Sequence, residues 1–291
     1  MAQLDNLFPA LPPGKYNGFT VYVRNGKAIT RRSKNDRGNP SKTLVQSSAR
    51  LRWNNVQRLW GAFPKEWKPR YQNRSIGSTN YNTFMSLNMH STPIYLTKTE
   101  VKNYASVLVP LVVSHGILKE IAVANDGLGL ASDVSVGTLT VDGNTTLGQL
   151  SKAIVENNRD YCSGDQLTFV VGKQTMEGDV PRAWFDCYTI EINPLSKQPL
   201  ADAIGTSDGF EVRNGVLASH VFSGAATWVH SRPAAEGEMS VSTQRLWCEN
   251  AELISRYTSP EALKRAADTY SKAKTEMLTP NPSEIETASK I

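Results

Sequence analysis

Hydrophobic and polar residues alternate near the start of the chain, and this alternation predicts a β-hairpin. Every second residue of Phe19–Arg24 is apolar, as in a strand with one covered face. Asn25-Gly26 follows, a pair that favours a two-residue turn because both of its positions need a positive φ. Lys27–Arg32 is the predicted return strand. An isolated hairpin is only marginally stable in water, so we expect this one to pack on another part of the protein or on another subunit.

An apolar stripe with helical spacing predicts a long helix after the hairpin. Asn39-Pro40 is typical of a helix start, because asparagine caps the helix and proline is tolerated at its first position. The stripe comprises Val45, Ala49, Trp53, Val56, Trp60 and Phe63. Both tryptophans keep the helical period, so we expect them in the core. A second helix is predicted to begin near Ser78 or Thr79, and its inner face comprises Tyr81, Phe84, Met85 and Asn88.

From about Tyr104 the hydrophobic period changes to two residues, which predicts strands. The strand candidates are Ser106–Val113, Ile117–Ala124, Leu167–Val171, Ala183–Ile192, Phe210–Arg213, Val216–Phe222, Ala226–His230 and Met239–Trp247. Thr146 and Gln149 have the spacing of a capping box and indicate one short helix between them. Asn214-Gly215 is a second hairpin turn. Many short strands with few helices favour an antiparallel sandwich or a partly open barrel.

These elements together predict an α+β fold in three segments. Residues 1–100 form a basic N-terminal arm with a hairpin and two helices. Residues 101–255 form a mainly antiparallel, sandwich-like β domain with one short helix. Residues 256–291 form a helix beginning at Ser259-Pro260 and an extended tail after Thr279.

Composition and charge narrow the class of protein. The 291 residues are 40% hydrophobic, which excludes wholesale disorder, and no apolar run approaches the roughly 20 residues of a membrane helix. We expect no secretion signal at the N-terminus and no membrane partner. Residues 1–75 carry 15 Lys and Arg against 3 Asp and Glu, whereas the remaining residues carry 17 against 24. A basic arm of this kind binds nucleic acid, or it docks on an acidic face of a neighbouring copy.

Motifs for catalysis are weak in this sequence. Gly205–Gly209 matches the pattern around a serine nucleophile, but a strand follows Ser207 where such an enzyme has a helix. A hydrolase built on Ser207 is therefore an unfavoured alternative. His220 and His230 form the one candidate metal pair, without a third ligand at suitable spacing. We expect the three cysteines to be small core residues, and we expect no cofactor and no metal.

The basic residues of the arm are the candidate interface. They are Arg24, Arg31, Arg32 and Arg37 in the arm and Arg50 and Arg58 on the first helix. Phosphate contacts by the arm would explain them equally well, with Tyr16, Phe19 and Tyr22 nearby for base stacking. No recognition helix or RNA-binding signature accompanies them, so nucleic-acid binding stays an alternative to subunit docking.

Four sequence segments, in order, resemble an uncharacterised family found in Bacteroidetes and their tailed phages. They are Asn39-Pro40 with Thr43, Gln46 and Arg50, then Tyr81–Asn88, then Ser114–Leu118, and finally Ser242–Gln244. The likeness runs from about Gly14 to Asn250. The spacing from Asn39 to Thr43 is one residue longer than the family pattern, and the segment after Ser255 is additional.

The resemblance implies a structural role and no enzymatic one. Phage members of the family are similar to virion components of crAss-like podoviruses, in the neck or the tail barrel. On this basis we expect a homo-oligomeric ring that contacts other tail or neck proteins and lies near packaged DNA. The expected location is the virion, after assembly in the host cytoplasm. Contacts in a ring join two different surfaces of each copy, which suits a chain with a basic part and an acidic part.

Overall fold

The computed structural model divides by internal contacts into an N-terminal unit, Met1–Thr43, and a body, Leu44–Ile291. The residues that the structure describes are 2–3, 14–16, 19–24, 27–32, 44–72, 74, 77–204, 211–219, 224–234 and 239–270. Helices and several antiparallel sheets are both present, so the predicted α+β fold with a sandwich-like middle is confirmed. No helix in these ranges is long and apolar enough to cross a membrane.

The described residues form seven helices and sixteen strands. The helices are α1 (Leu44–Ala62), α2 (Asn80–Asn88), α3 (Lys98–Lys102), α4 (Leu147–Asn157), α5 (Leu200–Ile204), α6 (Ala251–Thr258) and α7 (Pro260–Tyr270). The first eight strands are β1 (Ala2–Gln3), β2 (Gly14–Tyr16), β3 (Phe19–Arg24), β4 (Lys27–Arg32), β5 (Arg70–Tyr71), β6 (Val112–His115), β7 (Val123–Asn125) and β8 (Leu130–Ser135). The others are β9 (Gln166–Glu177), β10 (Val180–Glu191), β11 (Glu211–Arg213), β12 (Val216–Ser219), β13 (Gly224–Pro233), β14 (Met239–Val241), β15 (Gln244–Arg245) and β16 (Trp247–Cys248).

The N-terminal unit is a four-stranded antiparallel sheet in the order β1-β4-β3-β2. The predicted hairpin is confirmed, because Arg24 pairs with Lys27 and the register continues to Phe19 opposite Arg32. Its turn, Asn25-Gly26, lies outside the described residues, as does the predicted helix start at Asn39-Pro40.

The body is organised around a sheet that is covered on both faces. β9 is paired with β10 on one side and with β13 on the other. Ala225 and Val229 of β13 belong to a core that we call the helical core, with Leu59, Phe63, Phe84, Leu108 and Phe185. Ala226 and Trp228 belong to a second one, the sandwich core, with Leu130, Leu150, Ile154, Phe169 and Leu217. Successive strand residues point to opposite faces, so one sheet serves both cores.

The sandwich core is closed by a second antiparallel sheet in the order β11-β12-β8-β7. Leu130 and Val134 of β8 and Leu217 of β12 supply its buried side. The predicted hairpin turn at Asn214-Gly215 is confirmed, because both residues have a positive φ, 53° and 74°. Helix α4 lies over the same core and begins with the predicted capping box of Thr146 and Gln149.

A buried segment before β6 is held mainly by side-chain amides, beside backbone bonds from Ser106 N–H to the Pro181 carbonyl and from Leu246 N–H to the Leu111 carbonyl. Asn55 pairs both ways with the backbone of Val107, at 2.9 and 2.8 Å, and Asn88 does the same with Val112, at 3.0 and 2.7 Å. Gln174 accepts from the Leu108 N–H and donates to the Ser106 carbonyl. The predicted strand Ser106–Val113 is therefore wrong except at its end, because these amides replace the strand that would pair with it.

The apolar stripe predicted for the first helix is partly wrong. Val56 and Phe63 are buried, but Ala49 and Trp53 are exposed. The inner face of α1 also carries Ser48, Leu51, Arg52, Asn55 and Leu59. Polar residues such as Asn55 belong to the core because they satisfy buried backbone groups, and a purely hydrophobic stripe cannot reveal them. On α2 the prediction of a buried Phe84, Met85 and Asn88 is confirmed.

Near the C-terminus the structure adds an unpredicted helix. Helix α6 precedes the predicted one, α7, which begins at Pro260 with the Ser259 hydroxyl accepting from the Ala262 N–H at 3.1 Å. The predicted long strand Met239–Trp247 is wrong, since three short strands, β14 to β16, occupy this region. The predicted tail after Thr279 lies outside the described residues.

Candidate assembly interface

The strand register gives the N-terminal sheet a basic face. Directly paired residues share a face, so Lys15, opposite Thr20, lies on the side that also carries Arg31, the other partner of Thr20. Arg24 and its partner Lys27 lie on this side as well, because strand residues two positions apart point the same way. Four basic residues therefore share one face of a small sheet, and no acidic residue occurs in β2, β3 or β4.

The two faces of this sheet carry different residues. Arg24 and Lys27 are paired positions of β3 and β4 on the basic face. On the other face Val21 is buried, whereas Val23 is 55% exposed. Val21 is the one buried hydrophobic residue among the side chains that the structure describes in this unit. Covering the exposed Val23 would add stability.

The register separates the predicted arginines of the arm. Arg24 and Arg31 lie on the basic face, whereas Arg32, paired with Phe19, lies on the opposite one. Arg37 falls outside the described residues. Lys15 and Lys27 share the face of Arg24 and Arg31, although the sequence prediction did not include these two lysines in the interface.

The two predicted arginines of α1 have different surroundings. Arg50 is exposed. Arg58 lines a groove of about 670 Å³ between α1, α3 and β10. Its Nη2 donates to the Val101 carbonyl at 3.0 Å, and its guanidinium lies 4.5 Å from the centre of the Tyr104 ring. Cation–π contact and hydrogen bond together fix the position of this cation at the rim of the groove.

Aromatic and amide side chains complete this groove. Trp60 and Tyr81 meet edge to face, with ring centres 5.5 Å apart. A second guanidinium, that of Arg182, lies in the lining and forms an ion pair with Glu177 at 2.7 Å. The lining residues are Asn54, Gln57, Arg58, Trp60, Gly61, Tyr81, Val101, Tyr104, Ser106, Arg182 and Ala183. This lining therefore has two cations, three aromatic rings and no carboxylate.

Tyr104 is held in an unusual backbone conformation at this groove. Its φ is 61°, which is rare for a residue with a side chain and costs free energy. The Tyr104 ring is nevertheless 61% exposed. A strained residue that presents an aromatic ring to the outside is typical of binding surfaces.

Away from the groove, two buried polar residues and the partly exposed Arg232 form a cluster that the sequence did not predict. Asp165 and His230 are each 1% exposed. Asp165 Oδ2 accepts from the Cys162 N–H, from Arg232 Nη2 and from the His230 Nε2–H, each at 2.8 Å. Asp165 Oδ1 accepts from Arg232 Nε at 2.7 Å. The ring of Tyr161 stacks on His230 with the ring centres 4.4 Å apart. Asp165 is 65 residues away from His230 in the sequence, so no local pattern around the histidine predicts this partner.

The charges of this cluster follow from its contacts. Burial lowers the pKa of His230, and this outweighs the opposing effect of Asp165, so the ring is neutral at pH 7. Burial alone would raise the pKa of Asp165, but hydrogen bonds from Arg232, Cys162 and His230 hold it below its ordinary value. With both carboxylate oxygens occupied, the cluster ties the start of β9 to β13. The only sign of this cluster in the sequence is that a histidine and an arginine, His230 and Arg232, stand two positions apart.

Only some of the residues that were candidates for catalysis or metal binding lie among the described residues. Ser207 and His220 both lie outside them, so the serine and the paired histidines are not placed. Among the residues that are described, no three His, Cys, Asp or Glu side chains gather as a metal site. The prediction that all three cysteines are core residues is wrong for Cys162, which is exposed. Cys248 does pack against the helical core, and burial raises its pKa to about 12.

Two of the segments that carry the family resemblance contact each other. The Ser114 hydroxyl donates to the Ser242 carbonyl at 2.7 Å, and Gly116 N–H donates to the Thr243 hydroxyl at 3.2 Å. A Cβ atom on Gly116 would lie 2.2 Å from the Val241 carbonyl oxygen, so no other residue fits there without a shift. These contacts join β6 to the segment around β15 and stabilise the fold.

Comparisons of the chain with family models, with curated proteins and with solved structures found no match.

Proposed function

We propose that this protein is a non-enzymatic structural component of a phage virion, in which copies form part of an oligomeric tail or neck ring. The observation that carries the proposal is the basic face of the N-terminal sheet, where Lys15, Arg24, Lys27 and Arg31 share one side. The assignment to a virion comes from the resemblance of the four sequence segments to phage proteins.

The charge of the two units supports contacts between copies. Residues 1–43 carry eight Lys and Arg against two Asp and Glu, whereas residues 44–291 carry 24 against 25. The positive surplus of the chain is thus concentrated in its small N-terminal unit. A ring closes when one surface of each copy binds a different surface of the next, and opposite charges on the two surfaces favour that contact.

The apolar face of the N-terminal sheet supports the same proposal. On that face the Val23 side chain is 55% exposed beside the buried Val21. A small sheet gains stability when a neighbour covers such a face. The partners are further copies of the chain and other tail or neck proteins.

The test is the protein content of purified phage particles. We expect quantitative mass spectrometry of intact virions to detect the chain in a ratio to the major capsid protein that corresponds to a fixed ring. We expect the same ratio after nuclease treatment and gradient purification. Absence from intact particles, or turnover of a substrate by the purified chain, would refute the proposal.

Nucleic-acid binding is the second candidate, favoured by the presence of Tyr22 on the basic face. Four cations and an aromatic residue on one side of a sheet fit a phosphate backbone and a stacked base. Fluorescence anisotropy with labelled DNA separates the two functions. Binding that weakens steeply with salt and is lost in the Arg24→Glu/Arg31→Glu variant would favour this candidate.

A further inference from the structure

The groove lined by Arg58 and Arg182 has the chemistry of a site for an acidic peptide. Guanidinium groups bind carboxylates through paired, charge-assisted hydrogen bonds. Trp60 and Tyr81 offer apolar ring surface, and the amides of Asn54 and Gln57 can pair with a peptide backbone. A ligand that fits this lining carries two carboxylates with an apolar side chain between them.

The C-terminus of the described chain ends at the rim of this groove. The hydroxyl of Tyr270, the last residue of α7, accepts a hydrogen bond from Asn54 Nδ2 at 3.2 Å. Asn54 is itself a lining residue. The described part of the chain therefore ends beside the groove.

The remaining sequence contains one segment with the required chemistry. Twenty-one residues follow Tyr270, and among them Glu284-Ile285-Glu286 places an isoleucine between two carboxylates. The residues between Tyr270 and Glu284 span at most roughly 45 Å when extended, so the segment can reach back to a groove that begins beside Tyr270. A tethered segment also has a high effective concentration at a nearby site.

We infer that the groove binds Glu284-Ile285-Glu286 of the same chain. Glu284 and Glu286 pair with the guanidinium groups of Arg58 and Arg182, and Ile285 packs against the Trp60 and Tyr81 rings. This binding goes beyond the proposed function and does not depend on it, because it is a contact within one copy.

Photo-crosslinking in the full-length protein tests this assignment. A photoreactive amino acid is placed at Gln57, which is exposed and lines the groove, and the crosslinked peptides are identified by mass spectrometry. We expect crosslinks to the peptide that contains residues 283–287. The control site is Arg50, which is exposed on the same helix outside the groove, and there we expect none.

Isotope labelling identifies the chain that supplies the segment. In a mixture of heavy and light protein we expect each crosslink to join peptides of one label. Crosslinks between heavy and light peptides would mean that another copy supplies the segment, and they would overturn the assignment to the same chain. Absence of peptides 283–287 from the crosslinks at Gln57 would overturn the groove assignment itself.

Charge reversal in the tail separates binding from folding, because it leaves the body unchanged. We expect Glu284→Lys/Glu286→Lys to lower the crosslinking yield about tenfold, since each of the two lost charged pairs contributes on the order of a factor of three. The control Glu276→Lys should leave the yield unchanged. An unchanged yield in the double variant would contradict the pairing with Arg58 and Arg182.

A single-stranded oligonucleotide tests the other ligand class that arginines and aromatic rings bind. We expect an equimolar oligonucleotide to leave the crosslink between Gln57 and the tail intact. If the oligonucleotide crosslinks to position 57 and the crosslink to residues 283–287 disappears, the groove binds nucleic acid and the inference is overturned.

Discussion

The N-terminal unit and the body differ in the buried hydrophobic residues among their described side chains. The described part of the body has three hydrophobic clusters, and two of them lie on the two faces of the sheet formed by β10, β9 and β13, with Phe169 and Trp228 fully buried in the sandwich core. In the N-terminal unit the described side chains include one buried hydrophobic residue, Val21, and the strand register places four basic residues on one face of the sheet. The body has its own hydrophobic cores, and under the proposed function the basic face of the N-terminal sheet is the surface that binds a neighbouring copy.

The largest expected effect on the body comes from its buried charge cluster. Asp165→Asn removes the buried carboxylate that accepts hydrogen bonds from Arg232 and His230, and since Arg232 is 37% exposed we expect a loss of about 3 kcal/mol. Chemical denaturation measures the free energy of unfolding. The matched control is Asp160→Asn at an exposed ion pair with Lys119, for which we expect a loss below about 1 kcal/mol. Equal losses in the two variants would contradict the structural role of the cluster.

A smaller loss is expected where a side chain replaces a neighbouring strand. Asn55→Ala leaves the N–H and carbonyl of Val107 without their partner, and we expect a loss of about 2 kcal/mol in the free energy of unfolding. Gln57→Ala, at an exposed position of the same helix, should change the free energy by less than about 0.5 kcal/mol. A loss at Asn55 no greater than at Gln57 would show that the Val107 backbone finds other partners.

The stability of the body should fall as the pH is lowered. The folded-state pKa of His230 lies below 6.5, so the unfolded chain binds its proton first, and stability is full above pH 6.5 and declines below it. The pKa of Asp165 is also lowered, from 3.8, which adds a second decline in the same direction at more acidic pH. Thermal melting from pH 8 to pH 5 measures the first decline. We expect this decline in melting temperature to be weaker in His230→Gln. An identical decline with pH in that variant would contradict the assignment of the effect to His230.

The smallest effect on the body is expected from removing the N-terminal unit. Since residues 1–43 form a separate unit by their contacts, deleting them should lower the melting temperature of the body by less than about 2 °C. The same deletion should abolish association between copies. A fall of about 10 °C or more in the melting temperature would show that the body depends on the N-terminal unit for stability. That result would contradict the comparison drawn between the two regions.

The sequence predicted local signals better than contacts between distant residues. The capping box at Thr146 and the hairpin turn at Asn214-Gly215 were predicted correctly, because each depends on residues that are adjacent in the chain. The segment before β6 was misread as a strand, since Asn55 and Gln174 that pair with it are far away in sequence. Hydrophobic periodicity records which residues are apolar, and it does not record which polar side chains satisfy the backbone.

In the candidate interface, too, the local features were predicted and the contacts between distant residues were not. Alternation in Phe19–Arg24 and the following turn predicted the hairpin, and the basic character of the arm was evident from composition. Which cations share a face depends on strand register, and only the pairing of Arg31 and Lys15 with Thr20 separates them from Arg32. The groove at Arg58 could not be predicted, because α1, α3 and β10 meet there from distant parts of the chain.

Sedimentation velocity of the full-length protein tests the central claim most directly, that the basic face of the N-terminal sheet holds copies together. We predict concentration-dependent oligomers for the wild-type chain and mainly monomer for Arg24→Glu/Arg31→Glu, whose changes lie on the basic face. Arg32→Glu, on the opposite face, should sediment like the wild type. A wild-type chain that is monomeric at every concentration, or a double variant that assembles as the wild type does, would contradict the account.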